Sequence, residues 1–84
     1  MALPRRRQPL AKFIKIHDLT YLKVANALGT NRARVANMVQ GMLYPSPHEC
    51  DVLESLFGLP AQVLFEPPML AWRYDWPPRV RGGE

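Results

Sequence analysis

Three side chains able to make directional hydrogen bonds, Arg32, Asn37 and Gln40, fall on one side of a single short run, "NRARVANMVQG" at 31–41. Val35, Met38 and Val39 take the other side if the run is a helix. A guanidinium presented in this way suits bidentate bonding to the O6 and N7 edge of guanine, and a carboxamide can pair with adenine. The small Ala33 beside them leaves room for a thymine methyl. Arg34 sits on the flank of the same run and is expected to meet a phosphate.

Other chemistry is poorly served. His17, His48 and Cys50 are the only soft metal ligands, and "HEC" at 48–50 has neither the count nor the spacing of a zinc site. Cys50 falls on the apolar face of a helix, where a buried thiol is expected. The carboxylates at 49–54 lie on a capped helix without an acid or base partner, and no glycine-rich phosphate loop is present. An enzyme is not expected, and neither a cofactor nor a small-molecule substrate is evident.

The elements that must position these residues read as five short helices over residues 9–66. "LAKFIKIHDL" places Leu10, Phe13, Ile14 and His17 at helical spacing. Thr20 caps "YLKVANAL", in which Val24, Ala25 and Leu28 form one face, and Gly29 ends it. Asn31 caps the third helix, which Gly41 closes. "SPHE" at 46–49 predicts a capping box with proline in the first turn. It opens a fourth helix with Cys50, Leu53, Leu56 and Phe57 inward, stopped by Gly58. "PAQVLF" gives a short fifth, and no alternating strand pattern precedes the proline-rich end. Two short helices joined by a three-residue turn containing Gly29 can pack steeply, with Ala25 allowing close approach. The second of the pair is then free to enter the major groove of DNA.

Charge is segregated. Residues 1–41 carry eight Lys and Arg against Asp18 alone, a balance of +7, whereas residues 42–72 carry Glu49, Asp51, Glu54 and Glu66 and no Lys or Arg, a balance of −4. The last twelve, with Arg73, Arg79 and Arg81 against Asp75 and Glu84, stand at +1, for +4 overall. A basic half facing a polyanion fits this pattern. With 84 residues there is room for one small domain. The single Cys50 excludes an internal disulfide and fits a reducing compartment. No apolar run approaches the roughly 20 residues that span a bilayer. Lys12, Lys15, His17 and Asp18 interrupt any signal-peptide core, so a cytoplasmic protein is expected.

Residues 19–65 resemble the phage repressor/Cro-type helix-turn-helix family. The resemblance is carried, without gaps, by "VANALG", the "N-R" opening of the third helix, Val35, Gly41, "PS" at 45–46, "LFGL" and "VLF". It implies an all-α, five-helix DNA-binding domain, commonly dimeric on two half-sites. Arg32, Ala33 and Asn37 then lie where family members touch bases, and Asn31 and Gln40 where they touch phosphates. Thr20 and Tyr21 open the second helix, whose amides face a phosphate in such a docking. Family members usually have Gln where this chain has Tyr21. The family's Arg–Glu pair between the first and third helices is replaced here by Ile14 and Val39. Exchanging a buried pair for packed hydrophobes is often neutral or stabilising.

Residues 1–8 are expected as a basic arm, with Arg5, Arg6 and Arg7 either following the DNA backbone or entering a minor groove, or forming a tail of charges with no fixed contact. Met42, Leu43 and Tyr44 replace the basic or polar residues usual after this glycine. Either they fold into the core or they form an apolar rim suited to a second subunit. Residues 67–84 form a tail that the resemblance does not reach. Met69, Leu70, Trp72 and Trp76 there are expected to pack on the domain or to brace a dimer. The sequence therefore predicts a sequence-specific regulator of double-stranded DNA, a Cro-like repressor acting as a homodimer. The alternatives are an antitoxin-type interaction module and an architectural or recombination-accessory factor.

Overall fold

The computed structural model describes residues 3–73 together with residues 76 and 77. These form five α-helices: α1 (Leu10–Ile16), α2 (Tyr21–Leu28), α3 (Arg32–Val39), α4 (Pro47–Phe57) and α5 (Ala61–Leu64). A single 3-10 turn, Pro67–Leu70, follows. No strand occurs among the described residues, and no helix among them is long and apolar enough to cross a membrane.

The helix boundaries have local causes. Thr20 Oγ1 accepts the Lys23 amide at 3.1 Å and Asn31 Oδ1 accepts the Arg34 amide at 2.8 Å, so each satisfies a donor left over at a helix start. Ser46 and Glu49 complete a capping box with Pro47 in the first turn of α4. Gly29 ends α2 at φ 72°, a left-handed conformation that costs glycine little. α1 ends differently, through Asp18 at φ 56°, a residue type that tolerates this region better than most. The Leu19 amide then closes onto the Ile14 carbonyl at 2.9 Å.

Packing is heaviest between α2 and α3. Val24, Ala25 and Leu28 of α2 and Val35, Met38 and Val39 of α3 are all buried. They share one core with Leu10 and Ile14 of α1, Leu53 and Phe57 of α4, and Leu64, Phe65 and Met69. Ala25 is fully buried, as a residue chosen for close helix approach should be. Cys50 is also fully buried, and its burial pushes the thiol up to about 11, which keeps it protonated and inert.

One inward assignment needs correction. Leu56 is 37% exposed, because the buried face of α4 runs through Cys50, Leu53 and Phe57. Leu56 lies one residue before Phe57, about 100° away around the axis. His17 lies beyond the end of α1 and is exposed, its ring edge-on to Phe57 at 5.0 Å between centroids.

The described segments that flank the helices, residues 5–8 and 67–73, are engaged with the domain. The Arg5 amide bonds the Gly41 carbonyl at 3.0 Å and the Gln8 amide bonds the Val39 carbonyl at 2.7 Å. Gln8 is itself buried, its side chain accepting the Glu66 amide and donating to the Glu66 carboxylate, both at 2.8 Å. The segment from Arg5 to Gln8 is thus laced to the domain and is no free arm. At the other end, the 3-10 turn packs on α5 and buries Met69, so the fold runs past residue 66 to at least Arg73.

Candidate nucleic-acid interface

The outer face of α3 is built by its inner one. Val35, Met38 and Val39 are completely buried, which fixes the rotation of the helix and leaves Arg32, Ala33, Asn37 and Gln40 exposed. Asn31 and Thr20 are exposed at the starts of α3 and α2, with Tyr21 half-buried. Tyr21, Arg32, Ala33 and Ala36 together line an open depression of about 440 Å³. The structure therefore brings Tyr21 beside two of the three residues expected to face bases. Ala36 joins them, its signal in the sequence being only that it is small and on the same side as Arg32.

Arg34, on the flank of α3, is ion-paired within the fold. Its Nε donates to Glu49 Oε2 at 2.6 Å and its Nη2 to Glu49 Oε1 at 2.9 Å. The pairing raises the guanidinium above its ordinary value through that hydrogen bonding, against the effect of partial burial. Burial acts to raise the Glu49 carboxyl, but bonding to Arg34 and to Ser46 outweighs it and holds the group below the usual carboxylate range. Arg34 thus serves α4 first, and a phosphate would have to compete with a buried carboxylate.

The arm residues separate in the same way. Arg6 Nε lies 2.8 and 2.9 Å from the two Glu66 carboxylate oxygens, and this bonding, with that from Gln8, holds Glu66 below the usual range. Arg5 and Arg7 remain exposed and enter no ion pair among the described residues. The acidic half is matched as well: Arg73 bonds Glu54 at 3.0 Å and Asp51 at 3.3 Å. Glu54 Oε2 also accepts the Ala61 amide at 2.7 Å, capping α5. These carboxylates have partners that chain order does not reveal, since Arg73 lies 19 residues from Glu54.

The residues considered for a subunit contact divide. Met69 is 1% exposed and belongs to the core of its own chain, because the turn at Pro67–Leu70 folds back onto α5. Leu43 and Leu70 are half-buried against the same core. Tyr44 and Trp72 meet edge-on, 6.2 Å between centroids. Met42 is 45% and Trp76 38% exposed, so these two keep an outward apolar surface. No group of His, Cys, Asp and Glu suited to a metal ion occurs among the described residues. The chain matches no protein-family model, no curated protein and no solved structure.

Proposed function

We propose that this chain is a sequence-specific binder of double-stranded DNA, a regulator of the phage repressor/Cro type that represses by occupying an operator as a homodimer in the cytoplasm. One observation carries the reading. The short helix α3 is anchored by three fully buried residues and turned by Gly29 against α2, and its free face displays Arg32, Ala33 and Asn37. A helix held this way can present its first turns to base edges while α2 crosses the backbone. Arg32 would pair with guanine, Asn37 with adenine, and Ala33 would meet a thymine methyl. Thr20, Tyr21, Asn31 and Gln40 would hold phosphates and fix the register.

The charges agree with that role. Arg34, Arg6 and Arg73 are engaged with carboxylates, whereas Arg32 and Lys23 are exposed and form no ion pair among the described residues. A protein-interaction module would draw on free apolar residues after Glu66; Met69 is buried and Trp72 packs edge-on to Tyr44, whereas Trp76 stays exposed. The test is retention of fragments from a random duplex pool, followed by sequencing. A short shared motif repeated with two-fold symmetry is expected. Retained fragments no different from the input pool would overturn the reading.

A further inference from the structure

Ion pairing sorts the charges into two sets. Glu49 is held by Arg34, Asp51 and Glu54 by Arg73, and Glu66 by Arg6, so every carboxylate between residues 42 and 72 is matched. Arg5, Arg7, Lys12, Lys15, Lys23 and Arg32 form no ion pair among the described residues. Three of these six, Arg7, Lys12 and Lys15, share a cleft of about 550 Å³, whose lining also includes Gln8, Pro9 and Glu66. Lys12 and Lys15 are three apart on α1, on one face and about 4.5 Å apart along the axis. The one carboxylate in the lining does not neutralise them, because Glu66 is engaged by Arg6 and Gln8.

We infer that this cleft holds the phosphodiester backbone of duplex DNA beside the stretch read by α3. The inference rests on the DNA-binding reading above and adds Lys12 and Lys15 to its contacts. Its location supports it. Arg7 lies between two backbone anchors to the C-terminal end of α3, from the Arg5 amide to Gly41 and from the Gln8 amide to Val39. The edge of the cleft that carries Arg7 is thereby fixed next to the proposed groove-facing helix. Ligand chemistry supports it too. Each strand of a duplex presents a phosphate about every 3.4 Å of axis, a regular row of anions against which Arg7, Lys12 and Lys15 can be set together. The duplex is stiff, with a persistence length of about 50 nm. An acidic peptide would have to order a flexible chain to match three cations, and a lone phosphate would leave most of the cleft to water.

The test uses the full chain, the duplex it retains from the random pool, and the double variant Lys12→Gln/Lys15→Gln. Both side chains are exposed, so the fold is expected to persist. The slope of log affinity against log salt should fall by about 1.8, at about 0.9 per lost phosphate contact. Base preference should be unchanged, and one cluster of phosphates whose ethylation blocks the wild-type protein should cease to matter. An unchanged slope, or a reduced slope with every interfering phosphate retained, would overturn the inference while leaving the DNA reading intact. Binding of polyglutamate by the wild type as tightly as of duplex, lost in the double variant, would reassign the cleft to an acidic protein. A wild-type chain that retains no duplex at all would remove both readings together.

Discussion

Arg34 and Glu49 join α3 to the start of α4 through a single carboxylate. Glu49 Oε2 accepts Arg34 Nε at 2.6 Å, while Oε1 accepts both Arg34 Nη2 at 2.9 Å and the Ser46 amide at 2.7 Å. The Glu49 side chain is only 7% exposed. The group that closes the capping box of α4 therefore also sets the position of the helix that carries Arg32 and Asn37.

Removing one partner of a buried pair leaves the other uncompensated, at a cost of about 3–5 kcal/mol. Arg34 keeps 32% of its side chain in solvent, so Glu49→Gln should cost less, about 1–3 kcal/mol. Acid should act in the same direction. Glu49, Glu54 and Glu66 are all held below the ordinary glutamate value of 4.5 in the folded chain. Each contributes stability that is fully present above its unfolded value and is lost as pH falls through its folded one. Stability in urea should therefore decline below about pH 4.5, and less steeply for Glu49→Gln. Parallel acid limbs for the two proteins would reject the role of Glu49.

Gly41 makes a sharper prediction than the other turn glycines. It has φ 70°, and a Cβ there would lie 2.6 Å from the Arg6 carbonyl oxygen and 2.9 Å from the Arg6 nitrogen. Gly29 and Gly58 share the positive φ, but a Cβ on either meets nothing within 4 Å. Substitution by alanine at those two should cost only the left-handed backbone penalty, about 1 kcal/mol. Gly41→Ala adds a backbone clash and should cost about 2–4 kcal/mol in total. The Arg5 and Gln8 amides should also exchange with solvent faster, since they bond the Gly41 and Val39 carbonyls. Equal unfolding energies for the three variants would show that the arm yields freely.

This contrast also marks where chain order stops being informative. The caps at Thr20, Asn31 and Ser46, the stops at Gly29, Gly41 and Gly58, and the buried face of α3 were all legible, because each depends on residues within four positions. Leu56 misled because an apolar residue at the border of a helical face reads as inward by type alone. Gln8, Arg6 and Glu66 were not legible as a cluster, since 58 and 60 residues separate the partners. Arg34 was placed on the correct flank, but that flank faces Glu49, 15 residues away, as well as solvent. Gly41 was read as a helix stop, and nothing local announces that the arm crosses it.

Arg32 separates base reading from general attraction. It is exposed in the first turn of α3 and forms no ion pair among the described residues. Arg32→Ala should weaken binding to the selected duplex by about 1–3 kcal/mol and relax preference at one base pair. Arg7→Ala should weaken all duplexes alike and lower the salt slope by about one. Titrations of matched and mismatched duplexes at several salt concentrations would distinguish them. An Arg32→Ala protein with undiminished discrimination would remove α3 from the reading surface.

The segment after Glu66 belongs to the stability of the single chain before it can belong to any dimer. Met69 is buried with Leu64 and Phe65, Leu70 packs on the same core, and Arg73 pairs with Glu54 and Asp51. Burying a side chain of this kind contributes about 1.5–3 kcal/mol, and truncating one to alanine in a core costs about 2–5 kcal/mol. Small domains have only about 5–15 kcal/mol in all. Met69→Ala should therefore lower the Tm by about 10 °C or more, at about 4–8 °C per kcal/mol for a domain of this size. Truncation after Glu66 should be worse, because it also strips Arg73 from Glu54, the residue that caps α5. Loss of the helical signal on mild heating is expected for the truncated chain, whatever its concentration. A truncated chain that keeps its Tm but halves its mass in sedimentation would instead assign residues 67–84 to a subunit interface.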